Sequence, residues 1–443
     1  MCTLLAMCAI SGCFSDESPI LEAGNDRPQQ ADASVDVLAD VGVDLTHDSA
    51  DDLEADANPD STVDGGPDST LDRGPDTTVD VGPDTTVDVG PDTTVDTGPD
   101  TTVDLTHDSQ ILVIGADATS VTTLAGSSIA GSANGPGVAA TFDNPVNVAL
   151  DKNGDLYVTD FNNGMVRKVT LAGEVSTIVD QPDFERPFGL AFSPSGELYV
   201  QTDVNDLGRV DDDVTGTIWH VDRTQGKALV VARDLGRPRG LAAISDTQLV
   251  MSDGQHHVLR VLDTQSGIVT PLAGLYDTPG FVDGAKADAR FSQPYDIDIL
   301  PDGRLVLADR DNHAIRAVTL AGVVTTLAGT NTAGWVDGPA SDARFFQPQG
   351  LATDTLGNIY ITQRGVGLVR RLDTTGHVTT VAGLGSEGFR DHPDNPLQAR
   401  FFATEGITAL PNGSLLFVAD GNGGDPLPYH RIRQINVGAR SGR

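Results

Sequence analysis

From about residue 120 onward, apolar and polar positions alternate over short runs separated by turn-forming residues. The clearest stretch is Phe291 to Gly329, FSQPYDIDILPDGRLVLADRDNHAIRAVTLAGVVTTLAG. It predicts strands at Asp296–Leu300, Arg304–Ala308, Ala314–Thr319 and Val323–Leu327, joined by Pro-Asp-Gly, Asp-Arg-Asp-Asn-His and Leu-Ala-Gly turns. Each run is too short for a helix, and the turn residues suit tight reversals. One such meander cannot bury both its faces, so it needs copies of itself alongside.

Six copies can be read. The first is Phe142–Asp180, and the second runs from Phe184 to about Asp234 with an insertion at Asn205–Thr215. The third is Gly236–Gly274, the fourth the stretch above, and the fifth Phe345–Gly383. The sixth begins at Phe401 and ends at His430–Asn436, one strand short. The segment Val121–Gly126, VTTLAG, matches the fourth strand of copy four, so an N-terminal strand is expected to complete the last copy and close a ring. Ile111–Ile114 also reads as a strand but has no assigned place.

The copies resemble NHL repeats. Asn312-His313-Ala314 and His256-His257-Val258 lie close to the Asn-His-Leu element of that family, and Asn162-Asn163-Gly164-Met165 departs further. An aspartate precedes this turn as Asp160, Asp253, Asp309 and Asp420, with Asp203 taken as its counterpart in copy two and Gln363 in copy five. An arginine follows as Arg167, Arg260, Arg316, Arg370 and Arg433. The resemblance implies an all-β, six-bladed β-propeller of four-stranded antiparallel blades over residues 110–443. The innermost strands fit that shape. One parity is small, as in Gly189/Ala191, Gly240/Ala242, Gly350/Ala352 and Gly406/Thr408, and small side chains let blades converge on an axis.

Charge divides the chain. The net charge is -36, of which residues 16–109 carry 26 Asp and Glu against 2 Arg. Asp recurs at every fourth position from Asp32 to Asp108, within an octapeptide of the form PDTTVDVG. Like charges at that spacing, with Pro, Gly and Thr-Thr, oppose a helix, and apolar content is too low to offset chain entropy. Residues 14–109 are therefore expected to be a disordered acidic spacer. Neither part suits sequence-independent nucleic-acid binding, which depends on Lys and Arg against phosphate. Cys2, Cys8 and Cys13 are the only cysteines, so residues 110–443 have no disulfide or thiol chemistry. No apolar run reaches the length of a membrane helix.

Ile10-Ser11-Gly12-Cys13 resembles a bacterial lipobox. This implies a lipoprotein signal over residues 1–13, lipidation at Cys13, and an extracytoplasmic chain held in the cell envelope by its lipid. Phe14 in place of Asp implies the outer membrane if the organism has one. No Lys or Arg precedes the apolar run, a departure from secretory signals.

Loops on a rigid ring are where binding sites usually sit. The candidate site is placed on the face carrying the turn after strand two and the long insertions before copies four, five and six. Asp283, Asp337 and Asp391 recur there in step with Arg290, Arg344 and Arg400 and read as loop braces. Phe281, Trp335 and Phe389 occupy matching places. Asp296, Asp298 and Glu405 depart from the small-residue pattern and are candidates, with Trp335, for contact with a cation or polar ligand at the channel mouth. His257, His313 and His430 occupy equivalent turn positions and read as turn-stabilising. Asp211, Asp212 and Asp213 are weak metal candidates. No cofactor is predicted; Ca or Zn would be the metal in question.

No nucleophile elbow, metalloprotease motif, P-loop or dinucleotide fingerprint is present. The leading expectation is a monomeric, non-catalytic binding or scaffold module for a protein, peptide or glycan, without nucleic acid and touching the membrane only through its lipid. The resemblance also implies an alternative, since related propellers include metal-dependent lyases and hydrolases with the site at the channel mouth. A structural envelope protein is the third.

Overall fold

The computed structural model describes residues 119–204, 215–424 and 427–438. Cys13, the acidic spacer, Ile111–Ile114 and Asp211–Asp213 lie outside them. The described strands form six antiparallel sheets in sequence order around a ring. Blade one is Pro145–Leu150, Leu156–Asp160, Met165–Val169 and Glu174–Asp180. Blade two is Pro187–Phe192, Leu198–Thr202, Thr217–Asp222 and Lys227–Ala232. Blade three is Pro238–Ala243, Gln248–Asp253, Val258–Asp263 and Val269–Ala273. Blade four is Pro294–Ile299, Leu305–Asp309, Ala314–Val318 and Val323–Ala328. Blade five is Pro348–Thr353, Ile359–Gln363, Leu368–Leu372 and His377–Ala382.

Blade six takes Ala403–Ala409, Leu415–Gly421 and His430–Asn436 from the end of the chain and Ser120–Ser127 from its start. The closing strand pairs from Ser120 opposite Asn436 to Ser127 opposite His430. The expected ring closure is thus observed, and the sheet edge it covers is no longer free to pair elsewhere.

Alternation puts the core between blades. Each blade turns its two apolar faces to its neighbours, giving six hydrophobic clusters. One of them joins blade six to blade one through Phe417, Ala419, Val148 and Val158. A large residue just ahead of the inner strand wedges into each gap. Phe142, Phe184, Phe291, Phe345 and Phe401 are fully buried, and Leu235 serves before blade three. Near the axis the backbones approach closely. A Cβ on Gly189 would stand 2.5 Å from the carbonyl oxygen of Arg239, and one on Gly350 would lie 2.2 Å from that of Glu405.

The repeated polar residues form a latch. The strand-three arginine is buried and donates to the carboxylate ending strand two: Arg167 to Asp160 at 2.8 Å, Arg260 to Asp253 at 2.7 Å, Arg316 to Asp309 at 2.5 Å, Arg433 to Asp420 at 2.7 Å. In blade five Arg370 uses Gln363 at 3.3 Å. In every blade that has it, the guanidinium also holds the segment entering the blade, in blade three through the carbonyl oxygen of Leu235. Arg316, for example, donates to the carbonyl oxygens of Arg290 and Val282 and to Asp283. Asp283, Asp337 and Asp391 are therefore loop braces, but their ion-pair partners are Arg316, Arg370 and Arg433, not the Arg290, Arg344 and Arg400 that recur beside them.

The Asn-His element now has a mechanism. Asn312 donates to Asp309 at 2.8 Å, as Asn163 does to Asp160, and so orients the latch. His313 accepts from the backbone N–H of Gln347 in the next blade; His257 does the same for Gln293, and His430 for Asn144. The histidines stabilise turns and tie adjacent blades.

Candidate functional site

Strand pairing aligns the blades at the end of the ring where the inner strands begin. The residue facing Pro145, Pro187, Pro238, Pro294, Pro348 and Thr404 is Asp160, Thr202, Asp253, Asp309, Gln363 and Asp420. The counterpart of the latch aspartate in blade two is therefore Thr202, and the assignment of Asp203 to that place is corrected. Trp219 stands where the other blades have the arginine, and its indole N–H donates to Thr202 at 2.8 Å. A neutral pair replaces an ionic one.

Asp203, one residue further on, is released toward the axis. It is fully buried and accepts from Arg239 at 3.0 and 2.9 Å and from Arg237 at 3.3 Å, both in blade three. Burial opposes its ionised form, but Arg239 and Arg237 outweigh that and hold its carboxyl below the usual value. The equivalents of Asp203 are Phe161, Gly254, Arg310, Arg364 and Gly421, so this column of the repeat does not repeat.

A second non-repeating column follows each proline of the inner strands: Val146, Phe188, Arg239, Tyr295, Gln349 and, in blade six, Glu405. These side chains converge on the axis. The rings of Phe188 and Tyr295, from blades two and four, meet edge to face at 5.8 Å. The Arg239 guanidinium lies 4.1 Å over Phe188 and senses the charge of Glu405, three blades away. Arg364 donates to Glu405 at 2.8 Å. Burial raises the carboxyl of Glu405, with Arg364, Arg239 and Arg310 pulling the other way, and burial also raises the phenol of Tyr295. Arg310 donates to Gln293 and lies over Tyr295. Arg186 lies over Phe161.

The mouth thus holds Arg186, Arg237, Arg239, Arg310 and Arg364 around Asp203 and Glu405, in a chain that is strongly acidic overall. A cleft of about 330 Å³ opens over Gly254 between blades three and four, walled by Arg237, Arg239, Gln255, Gln293 and Tyr295. Oε2 of Glu405 and Oε1 of Gln349, which do not line this cleft, are buried and have no hydrogen-bond partner among the described residues. Of these residues the sequence marks only Glu405 as a ligand candidate, Asp203 being read as a latch. The available signal was a fixed position in the repeat whose residue type changes from copy to copy.

Asp296 and Asp298 sit further along the inner strand of blade four. They line a separate channel cavity of about 210 Å³ with the inner strands of all six blades. Each also bridges to blade five: Asp296 accepts from the N–H groups of Ile297 and Leu351, and Asp298 from those of Ile299 and Thr353. Burial raises Asp296 to about 7 and Asp298 to about 6. The structure does not bring them together with Glu405, which belongs to the mouth.

The long insertions run to the outer rim instead of the axis. Gly284–Ala285 and Gly338–Pro339 each pair alongside the outermost strand of the following blade as a two-residue fifth strand. Phe281 and Phe389 there cover Arg316 and Arg433 at 4.9 and 4.8 Å. Trp335 is 55% exposed. Among the described residues no cluster of three or more His, Cys, Asp or Glu side chains has the arrangement of a metal site.

The NHL repeat model matches residues 142–168, the heart of blade one. Curated relatives include Protein SUPPRESSOR OF QUENCHING 1, chloroplastic, of Arabidopsis thaliana, 25% identical over 53% of this chain and 25% of that protein. Teneurin-3 of Mus musculus is 26% identical over 62% of this chain, and NHL repeat-containing protein 2 of Bos taurus 25% over 53%. The chain spans only 12% and 39% of the length of these last two. Among solved structures, a structural-genomics protein of unknown function from Bacteroides thetaiotaomicron superimposes with a TM-score of 0.58 at 21% identity, covering 72% of this chain and 76% of that one. An auxiliary nutrient binding protein from Bacteroides ovatus does so at 0.55, with the same identity and coverage. These likenesses agree with the architecture built above from pairing and packing: the described chain is a six-bladed β-propeller whose first blade matches the NHL repeat.

Proposed function

We propose that the propeller is a non-catalytic binding module that takes its ligand at the arginine-lined mouth, and that Cys13 anchors it by lipid in the cell envelope. The observation that carries the reading is the cleft of about 330 Å³ at the mouth, walled by Arg237, Arg239, Gln255, Gln293 and Tyr295. The recurring latches and wedge residues that hold the ring do not include them. A protein, peptide or glycan ligand fits a mouth of mixed guanidinium, amide and aromatic groups on a rigid ring. A role in capture is of the same general kind as that named for the Bacteroides auxiliary nutrient binding protein.

The test is a glycan and peptide array probed with the intact chain and with Gln255→Ala, which removes one exposed side chain from the cleft wall. Any specific hit should weaken about tenfold or more in the variant, as loss of one buried hydrogen bond to a ligand predicts. Hits of unchanged strength overturn the mouth as the site. Metabolic labelling with an alkyne fatty acid tests the anchor: equal label on wild type and Cys13→Ser overturns it.

A further inference from the structure

We propose that the outer edge of blade two is a strand-pairing surface, and that its occupant is the Ile111–Ile114 segment of a second copy of this chain. The outermost strands differ in how their free edges are met. In blades one, four and five the edge carries a two-residue strand, Gly135–Pro136, Gly284–Ala285 or Gly338–Pro339. In blade six His392 fills the same place, exchanging backbone hydrogen bonds with Val121 at 2.8 and 2.9 Å. The next outward N–H is also met in blades four, five and six, where Thr326, Thr380 and Thr123 donate theirs to Asp283, Asp337 and Asp391. In blade three that position is Pro271, which has no N–H to offer.

Blade two has none of these covers. Strand pairing sets Ala228 opposite Val221 and Val230 opposite Trp219, which matches them to Val324 and Thr326 of blade four. The side-chain amide of Gln181 meets the N–H and the carbonyl oxygen of Ala228 at 2.9 and 3.2 Å. The N–H of Val230 meets no acceptor among the described residues. The side chains change as well. Where blades one, four, five and six carry a Ser-Thr or Thr-Thr pair, blade two carries Leu229 and Val230, 55% and 37% exposed. An edge with aliphatic side chains and an unmet backbone group is a template for another strand.

The occupant follows from the chain itself. Ile111–Ile114 is a run of four aliphatic residues with no place among the six blades, and Asp108 and Asp117 flank it. The edge it would join has the opposite sign. Lys227–Ala232 holds no carboxylate, and Lys227 is exposed with no ion-pair partner among the described residues. Opposite charges at the ends of two apolar strands favour this pairing over others. Reach selects a second copy. From Ile114 to Ser120, the first residue of the strand that closes blade six, the chain spans at most about 20 Å. Blade one stands between blades six and two. Packed sheets lie about 10 Å apart near the core, and blades that converge on an axis are further apart at the rim, so the chain's own edge is beyond that span. The edge of a neighbouring copy is not, and a reciprocal exchange closes a symmetric dimer.

The experiment is sedimentation velocity of the full chain over a concentration series, in the Cys13→Ser form so that no lipid contributes. Two further changes are compared in that form. Val113→Pro interrupts the segment and leaves the six blades untouched. Val230→Pro gives blade two the residue that blade three already holds at the same register. The parent chain is expected to dimerise. Each proline should weaken the dimer at least about tenfold, since it removes a backbone hydrogen bond from both pairings. An equimolar mixture of the two proline variants should recover association, because it restores one intact pairing. A parent chain that stays monomeric throughout overturns the proposal. A dimer that Val113→Pro leaves unchanged overturns the segment as occupant, and if Val230→Pro still breaks it, two edges are meeting instead. A dimer indifferent to Val230→Pro overturns the edge. Should that variant fold poorly, hydrogen exchange of the Val230 amide reads the same contact. Protection in the parent that Val113→Pro abolishes supports the pairing, and equal protection in both overturns it.

Discussion

Blade two and blade four are built on the same meander but are locked differently. Blade four closes with Arg316 between Asp309 and Asp283, fully buried and ionic. Blade two closes with Trp219 on Thr202, neutral and apolar. Losing the latch in blade two moves its acidic residue one place along the chain. Asp203 then pairs with Arg237 and Arg239 of the next blade and becomes part of the mouth. The difference teaches where to look in a repeat protein. Residues that recur in step hold the ring together; positions where recurrence fails at fixed geometry are available for function.

The sharpest way to break this comparison is to remove the lock in each blade. Arg316→Met leaves Asp309 charged and buried, and should cost about 3–5 kcal/mol. Thr202→Val removes one neutral hydrogen bond and should cost about 1 kcal/mol. Urea unfolding of both variants measures the difference. Equal costs would mean that the ionic latch contributes no more than the neutral one.

The pH dependence separates two further sets of braces. Burial raises Asp296 and Asp298 from an ordinary 3.8 to about 7 and about 6. A folded value above the unfolded one means stability that is fully present below about pH 4 and is lost as pH rises from there through 6 to 7. Burial lowers His257, His313 and His430 from 6.5, and each accepts a backbone N–H only when its Nδ1 is unprotonated. Their contribution is present above 6.5 and is lost as pH falls below it. The two sets therefore oppose each other between about pH 4 and 7, the carboxyls favouring the acid side and the histidines the neutral side. Asp296→Asn with Asp298→Asn should remove the loss that the carboxyls impose on going from pH 4.5 to 7, and His313→Asn should remove part of the opposing gain. Unfolding midpoints from pH 4.5 to 8 check this; a difference between wild type and the double variant that does not change with pH overturns the assignment.

Much of the ring was legible because packing and latches impose the same residues six times. The wedge phenylalanines, the small inner positions and the Asp–Arg pairs recur because each blade meets the same neighbour. Ring closure was legible because Val121–Gly126 repeats a strand missing from the end. The mouth was not legible for the opposite reason. Arg186, Arg239, Tyr295, Arg310 and Gln349 share a place in space but no pattern in sequence, and alignment by motif discards such columns. Asp203 misled because an aspartate near a turn looks like the latch until strand pairing fixes its register. The insertions misled because their length suggested reach over the axis, whereas two of them end as short strands on the outer edge.

The smallest expected effect lies on that edge and sharpens the same distinction. Phe389 lies 3.9 Å from Arg431 and 4.8 Å from Arg433, so Phe389→Ala should cost about 0.5–1 kcal/mol through the lost cation–π contacts. Trp335 occupies the matching place but is 55% exposed, and no such contact ties it to Arg370, which lies instead over Phe345. Trp335→Ala should change stability by less than about 0.5 kcal/mol. Thermal melts of both variants measure the gap. A large exposed indole that adds nothing to the fold, in a position where its counterparts do, would carry the rule of blade two out to the rim. A cost equal to that of Phe389→Ala would instead return Trp335 to the scaffold and leave the mouth as the place where departure from the repeat has a use.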